Sequence, residues 1–450
     1  MMAMRLLPFK TVQYLTAGFL LAFAGALTAL EPEPIFDRPT QLSDPSPVLP
    51  MTPAPTLDSI TLFPDAAESM SLEPEIDKHP WKFVLHGSAT ATYDDNIFIS
   101  NANEQEDFIF TIAAGIAVGR GDFNNQLSDL SSYENRFSPD RSELLAGRSF
   151  IFLHYVPSVT LFADNSDLDS FNHDVTLQGQ YEWKRLTLGI KARFQTQNLP
   201  DVDVGGRVER RVFTGVLSSK YDYSEKTSIE ANFFNYVRDY LDANRVDSVE
   251  YRSQEWVNYQ VLPKITLGVG FTYGHVDLSD GPSQDYEQVL ARTRYRATEK
   301  VQFDLSAGVE FRKVSGFGTK TNPIFSLGVS YAPFDGTSLF LQSYRRAVTS
   351  GGTSGVTYLV TGIEGQFRQR FARRYYFVVA VGYQNAEYDF TGGNSGARTD
   401  KIFYVHPSVG VDVTKWLSCE IGAEYRQDDS SVSNLGFVET TAYFQVNVFF

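Results

Sequence analysis

The chain has 450 residues, 42% of them hydrophobic and 14% aromatic, with a formal net charge of -15. That acid excess argues against a nucleic-acid partner, which calls for basic surface. A single cysteine, Cys419, excludes an internal disulfide framework and any cysteine-rich metal site.

From the N-terminus, residues 1–29 read as a secretory signal peptide. Arg5 and Lys10 precede the apolar run "TVQYLTAGFLLAFAGALTA", and Ala26 or Ala29 ends a small-residue cleavage pattern. Residues 30–80 read as a Pro-rich periplasmic linker. Eleven of the chain's 20 prolines fall between Glu31 and Pro80, and proline cannot donate to a helix or sheet. The linker is a plain spacer, a tail that docks a periplasmic partner, or a plug for the downstream domain. Beyond the signal there is no apolar run of about 18 residues that would make a spanning helix.

Residues 81–450 repeat one pattern, strand then turn. In "VQFDLSAGVEFR", Val301, Phe303, Leu305, Ala307, Val309 and Phe311 share one face; Gln302, Asp304, Ser306, Gly308, Glu310 and Arg312 share the other. "LTLGIKARFQ", "KITLGVGFTYGH" and "WLSCEIGAEY" alternate in the same way. Charges lie mid-strand on the second face, where an unpaired buried charge would be costly. That face meets water or other charges, and the glycines on it add no apolar packing. No helical period supplies a cover for the apolar face. The apolar side therefore faces either a second sheet or lipid.

The connections choose between these. Short turns occur at "WKR", "YSEK", "LPK", "TEK", "APFDG", "ARR" and "TKW", alternating with longer polar stretches such as "NLPDVDVGGR", "DYLDANRVDS", "VTSGGTSG" and "DDSSVSNLG". That asymmetry belongs to an outer-membrane barrel, with about 18 strands long enough to span a bilayer when tilted. The expected fold is all-β, a transmembrane antiparallel up-and-down barrel over residues 81–450. The closing strand "TAYFQVNVFF" stays apolar on one face to Phe450, which is expected at the periplasmic rim as the signal for the barrel assembly machinery.

"YDDNIF" (93–98), "EDFIFTIAAGIAVG" (106–119) and "FADNSDLDSFNHDVTLQGQYEW" (162–183) together resemble the beta-barrel porin 2 family of bacterial outer-membrane proteins. The resemblance implies a barrel with a porin role. The segment 122–147 departs from it by its length; by strand parity it lies on the periplasmic side, as a turn-side insert or folded into the lumen.

The charged residues expected to line the lumen are Lys191, Arg193, Arg292, Arg294, Arg296, Asp304, Glu310, Arg312, Glu364, Glu420 and Glu424. They read as a patch that orients anionic solutes or as a wet wall of cross-strand pairs. Asp94, Asp95, Asp164, Asp167 and Asp169 form acidic clusters expected in solvated loops on the outer rim. Their spacing lacks the glycine and closing glutamate of a calcium-binding helical hand. The six histidines show no zinc-type spacing, and no nucleophile elbow is present. No enzyme, cofactor or metal is implied. The expected function is passive diffusion of small hydrophilic solutes across the outer membrane of a Gram-negative bacterium, with outer-membrane lipid as surroundings. The alternative is a polysaccharide export or envelope-assembly channel, gated by the N-terminal tail or a periplasmic partner.

Overall fold

The computed structural model describes residues 80–121, 123, 149–352, 356–389 and 398–450. The expected signal peptide, linker and 122–147 insert lie outside the described residues, apart from Pro80 and Phe123. The described residues form eighteen strands: β1 (Trp81–Asp94), β2 (Asp107–Gly121), β3 (Phe150–Phe162), β4 (Ser170–Trp183), β5 (Leu186–Asp201), β6 (Gly206–Asp222), β7 (Thr227–Tyr240), β8 (Ser248–Leu262), β9 (Ile265–Leu278), β10 (Gln284–Thr298), β11 (Val301–Val314), β12 (Gly318–Tyr331), β13 (Thr337–Thr349), β14 (Thr357–Phe371), β15 (Tyr375–Asp389), β16 (Arg398–Asp412), β17 (Leu417–Ser430) and β18 (Phe437–Phe449).

Each strand pairs antiparallel with its neighbours in sequence, and β1 closes on β18 with His86 opposite Phe449 and Asp94 opposite Thr441. Closure leaves no sheet edge, so every strand has a ladder partner on both sides, as hydrocarbon surroundings demand. The closing seam runs to the last residue: Phe450 exchanges backbone hydrogen bonds with Leu85 at 2.7 and 3.0 Å. Its ring is 66% exposed and lies 6.3 Å from that of Trp416, nearly parallel.

The alternation of residue types sorts the two faces. Leu153, Val269, Leu305, Ile363 and Ile421 point outward and are exposed. At one edge of this apolar zone lie exposed Trp183, Tyr221, Tyr259, Tyr331, Tyr375 and Trp416; at the other lie Phe108, Phe171, Tyr273, Tyr383 and Phe403. Two aromatic girdles around an apolar zone suit the two interfaces of a bilayer. One rim carries tight turns, such as 184–185, 263–264 and 299–300. The other carries longer loops, such as 95–106, 241–247 and 431–436.

The alternation of loop length is less regular than expected. On the long-loop rim, 315–317 and 202–205 are tight turns. "NLPDVDVGGR", expected as a polar outer loop, is the end of a hairpin made by the two longest strands, of 16 and 17 residues. β5 pairs with β4 only up to Gln195, and β6 with β7 only from Arg210. Residues 198–201 therefore pair across the hairpin with 206–209, and the Leu241 amide, donating to the Glu209 carbonyl at 3.0 Å, is the last backbone bond to the β7 side. Pro200 offers no N–H to an outer neighbour, and the hairpin end leaves the wall and turns into the lumen.

Candidate functional site

Along the inner wall, aromatic rings lie across glycines of the next strand. Trp256 faces Gly270, Tyr286 faces Gly274, Tyr344 faces Gly362, Tyr404 faces Gly382, Tyr376 faces Gly410 and Tyr443 faces Gly422. A Cβ on Gly422 would lie 2.5 Å from the Tyr443 ring, and one on Gly362 2.7 Å from that of Tyr344. The lumen-face glycines are therefore seats for rings, contrary to their expected lack of packing. A ring lying over a bare backbone fills space that a side chain would claim, as in the aromatic rescue of sheet glycines.

These rings hold the acids. The Tyr344 hydroxyl donates to Glu364 at 2.8 Å, as does Gln384. Tyr376 and Tyr443 both donate to Glu420, at 2.7 and 2.6 Å, and Tyr286 donates to Glu250. His406 bridges Glu424 at 3.1 Å and Tyr443 at 3.2 Å. Guanidinium groups cover the rings from the lumen side: Arg346 lies 4.6 Å from the Tyr344 ring centroid, Arg312 4.4 Å from that of Tyr286 and Arg292 4.2 Å from that of Trp256.

The eleven charged residues expected in the lumen share the strand face opposite the exposed apolar set. Many pair there: Arg193 with Asp174 at 2.5 Å, Arg292 with Glu230 at 2.7 Å, Arg294 with Asp304 at 3.0 Å and Arg312 with Glu310 at 2.8 Å. Glu364, Glu420 and Glu424 hold the hydroxyl and imidazole partners named above. Lys191 is buried, while Arg296, near the short-turn rim, is exposed. The Arg292, Arg294 and Arg296 ladder thus runs from a packed level to an open one. Buried inner-face side chains occur at both ends of the barrel: Tyr376, Glu420 and Asn447 near the short turns, and Asp201, Arg238 and Arg398 near the long loops.

The acidic loop clusters divide. Asp164, Asp167 and Asp169 are exposed. Asp94, expected in a solvated loop, is 2% exposed, and Asn96 near it is 0% exposed. The 95–106 connection curls inward instead: Asn96 donates to the Ser100 and Val438 carbonyls at 2.9 and 2.8 Å, and Asp95 accepts from the Thr440 amide. Among the described residues, no group of three or more His, Cys, Asp or Glu side chains could hold a metal ion.

The feature that sequence reasoning missed is the turned-in hairpin. Asp201, 0% exposed, organises its tip. Its carboxylate accepts from the Asp203 amide at 3.0 Å, from Arg210 at 2.7 Å and from the Tyr240 hydroxyl at 3.3 Å. Gly205 (φ 73°) turns the chain there in the left-handed region that favours glycine. Asp203 reaches the loop after β13, on the far side of the barrel. Its carboxylate accepts from Ser350 Oγ at 2.8 Å, and from the amides of Gly351 at 2.7 Å and Gly352 at 3.3 Å. Arg398 at the start of β16 donates to the Val202 and Asp203 carbonyls, each at 2.8 Å. Val202 packs with Ile99, Ile402 and Phe437. The hairpin thus crosses the mouth at the long-loop rim. The signal available in sequence was the change from apolar to polar at Thr196 and Asn198, on the face that Leu188, Ile190 and Phe194 share.

No family model matches the chain, and no curated protein matches it. The resemblance to the porin 2 family therefore stands on its three sequence stretches. Solved structures that are similar include Pseudomonas aeruginosa OpdQ, at TM-score 0.43 and 9% identity, covering 83% of this chain and 98% of that one. P. aeruginosa OpdK with vanillate gives TM-score 0.42 and 10% identity, covering 82% and 99%. Acinetobacter baumannii OccAB4 gives 0.42 and 11%, covering 82% and 98%. Likeness at this level transfers no residue role and no solute.

Proposed function

We propose that the chain is an outer-membrane channel for passive diffusion of small hydrophilic solutes. One observation carries this reading: a closed sheet of eighteen strands has charged and polar side chains inside and an apolar zone between two aromatic girdles outside. A barrel of this strand number encloses more space than its own side chains fill in smaller barrels. Solutes gather at the inner-wall charges that remain accessible, Arg294 and Arg296 among them. In this reading the long-loop rim faces outward, and Phe450 lies at the periplasmic rim, where the barrel assembly machinery reads it. The three stretches at 93–98, 106–119 and 162–183 support kinship with the porin 2 family. The N-terminal linker is periplasmic.

Swelling of liposomes that hold the purified protein tests the reading. A series of sugars, amino acids and organic acids of increasing size is expected to enter up to a size limit. No swelling with the smallest members, from protein that shows heat-modifiable migration on gels, contradicts it. Swelling only after deletion of residues 31–80 would favour the exporter gated by its tail.

A further inference from the structure

We propose that the β5–β6 hairpin is a latch built into the channel, which closes the long-loop mouth while Asp203 is clasped by Ser350, Gly351 and Gly352. The proposal rests on the channel reading and adds to it the element that sets the open fraction.

Three observations place the latch. First, the hairpin end has left the ladders of the wall: residues 198–201 pair across the hairpin with 206–209, and single bonds tie it to its neighbours, from the Leu241 amide to the Glu209 carbonyl at 3.0 Å and from Asn198 to the Leu168 carbonyl at 3.1 Å. An element held to its neighbours by so few bonds can swing as a unit without breaking the barrel. Second, it is fastened far from its root. β5 and β13 lie on opposite sides of an eighteen-strand ring, yet Asp203 takes a hydroxyl and two successive backbone amides from the loop after β13. Two successive amides and a hydroxyl aimed at one carboxyl group hold it in place without requiring its charge. Third, other loops meet the same point. The Val246 amide donates to the Gly351 carbonyl at 2.9 Å, and Arg207 donates to the Ile97 carbonyl at 3.0 Å. Val202 is the apolar stopper, buried against Ile99, Ile402 and Phe437. The wall itself needs none of these contacts, because its ladders are complete below them.

The clasp is small enough to open. Each of its hydrogen bonds replaces one that water would make to the same group, so its net contribution is modest. Three donors together favour the closed form without making it permanent. Release of the Asp203 carboxylate removes the bridge to the loop after β13; the hairpin then swings at its root, with the Arg398 bonds and the Val202 contacts parting as it goes, and the mouth clears.

The test joins Asp203→Cys and Ser350→Cys by a short cross-linker that a dithiol cleaves, on a Cys419→Ser background, in planar bilayers. The pair has lost the native clasp, so cross-linking restores the bridge and reduction removes it. The cross-linked form is expected to pass a current lower by about tenfold or more than the reduced form, and Asp203→Ala is expected to match the reduced form. Equal currents with and without the cross-link overturn the latch and leave the channel intact. No current from the reduced pair or from Asp203→Ala overturns both, provided each still shows heat-modifiable migration.

Discussion

At the residue scale, Asp203 is a carboxyl that burial pushes above its ordinary range, with Asp201 beside it adding to the rise. Ser350, the Gly351 amide and Arg238 pull the other way and do not win. Arg398 also faces it, through the backbone of the tip, as do the rings of Tyr358 and Tyr388. A carboxyl whose pKa is raised in the latched form stabilises that form fully below its free pKa. That support is lost as pH rises through the latched value. Current is therefore expected to be lowest in acid and to climb as pH passes upward through the raised pKa of Asp203. Asp203→Asn, neutral at every pH and still able to accept the glycine amides, is expected to stay latched with a flat profile. A profile unchanged by Asp203→Asn would show that another group sets it.

The ring seats make a second prediction at this scale. Gly422→Ala places a methyl 2.5 Å from the Tyr443 ring. Overpacking of this kind costs about 1–3 kcal/mol, to be read as a lower unfolding temperature in detergent. Gly206→Ala meets nothing within 4 Å and is the matched control. Equal unfolding temperatures for the two would mean that the rings are not held by their glycines.

At the element scale, strand faces were legible in the sequence because a side-chain period of two shows which residues share a side. The apolar set of β11 and the inward charges at Arg292, Arg294 and Arg296 follow from parity alone. The seating of Tyr443 on Gly422 needs the register between β17 and β18, which parity does not supply. The inward hairpin was hidden for a different reason: its apolar alternation stops after Phe194, with Thr196 and Asn198 following, and a stop of that kind reads equally as the start of an outer loop. Only the contacts with Ser350 and Arg398, distant in sequence, decide between the two.

The closing strand supplies a prediction of its own. Phe450 adds two backbone hydrogen bonds to Leu85 and a ring beside Trp416. Losing one aromatic side chain removes only about 1.5–3 kcal/mol of burial, small against eighteen ladders. Deleting Phe450 is therefore expected to leave a barrel that refolds in detergent with nearly full heat resistance. If the assembly machinery reads this residue, the same deletion collapses the folded yield in cells. Normal levels in cells would make Phe450 one more outward side chain.

At the scale of the whole molecule, a lipid-facing exterior surrounds a polar, charged interior that the β5–β6 hairpin bridges near the long loops. Closure of the barrel was legible from the turn rhythm and the terminal strand. The bridge was not, since it depends on opposite walls meeting in space. The most direct measurement is the current through single molecules of the full chain in a planar bilayer. A latched channel is expected to give discrete, ohmic steps, infrequent in the parent protein and frequent in Asp203→Ala. A heat-modifiable, correctly folded barrel that gives no steps in either form would contradict it.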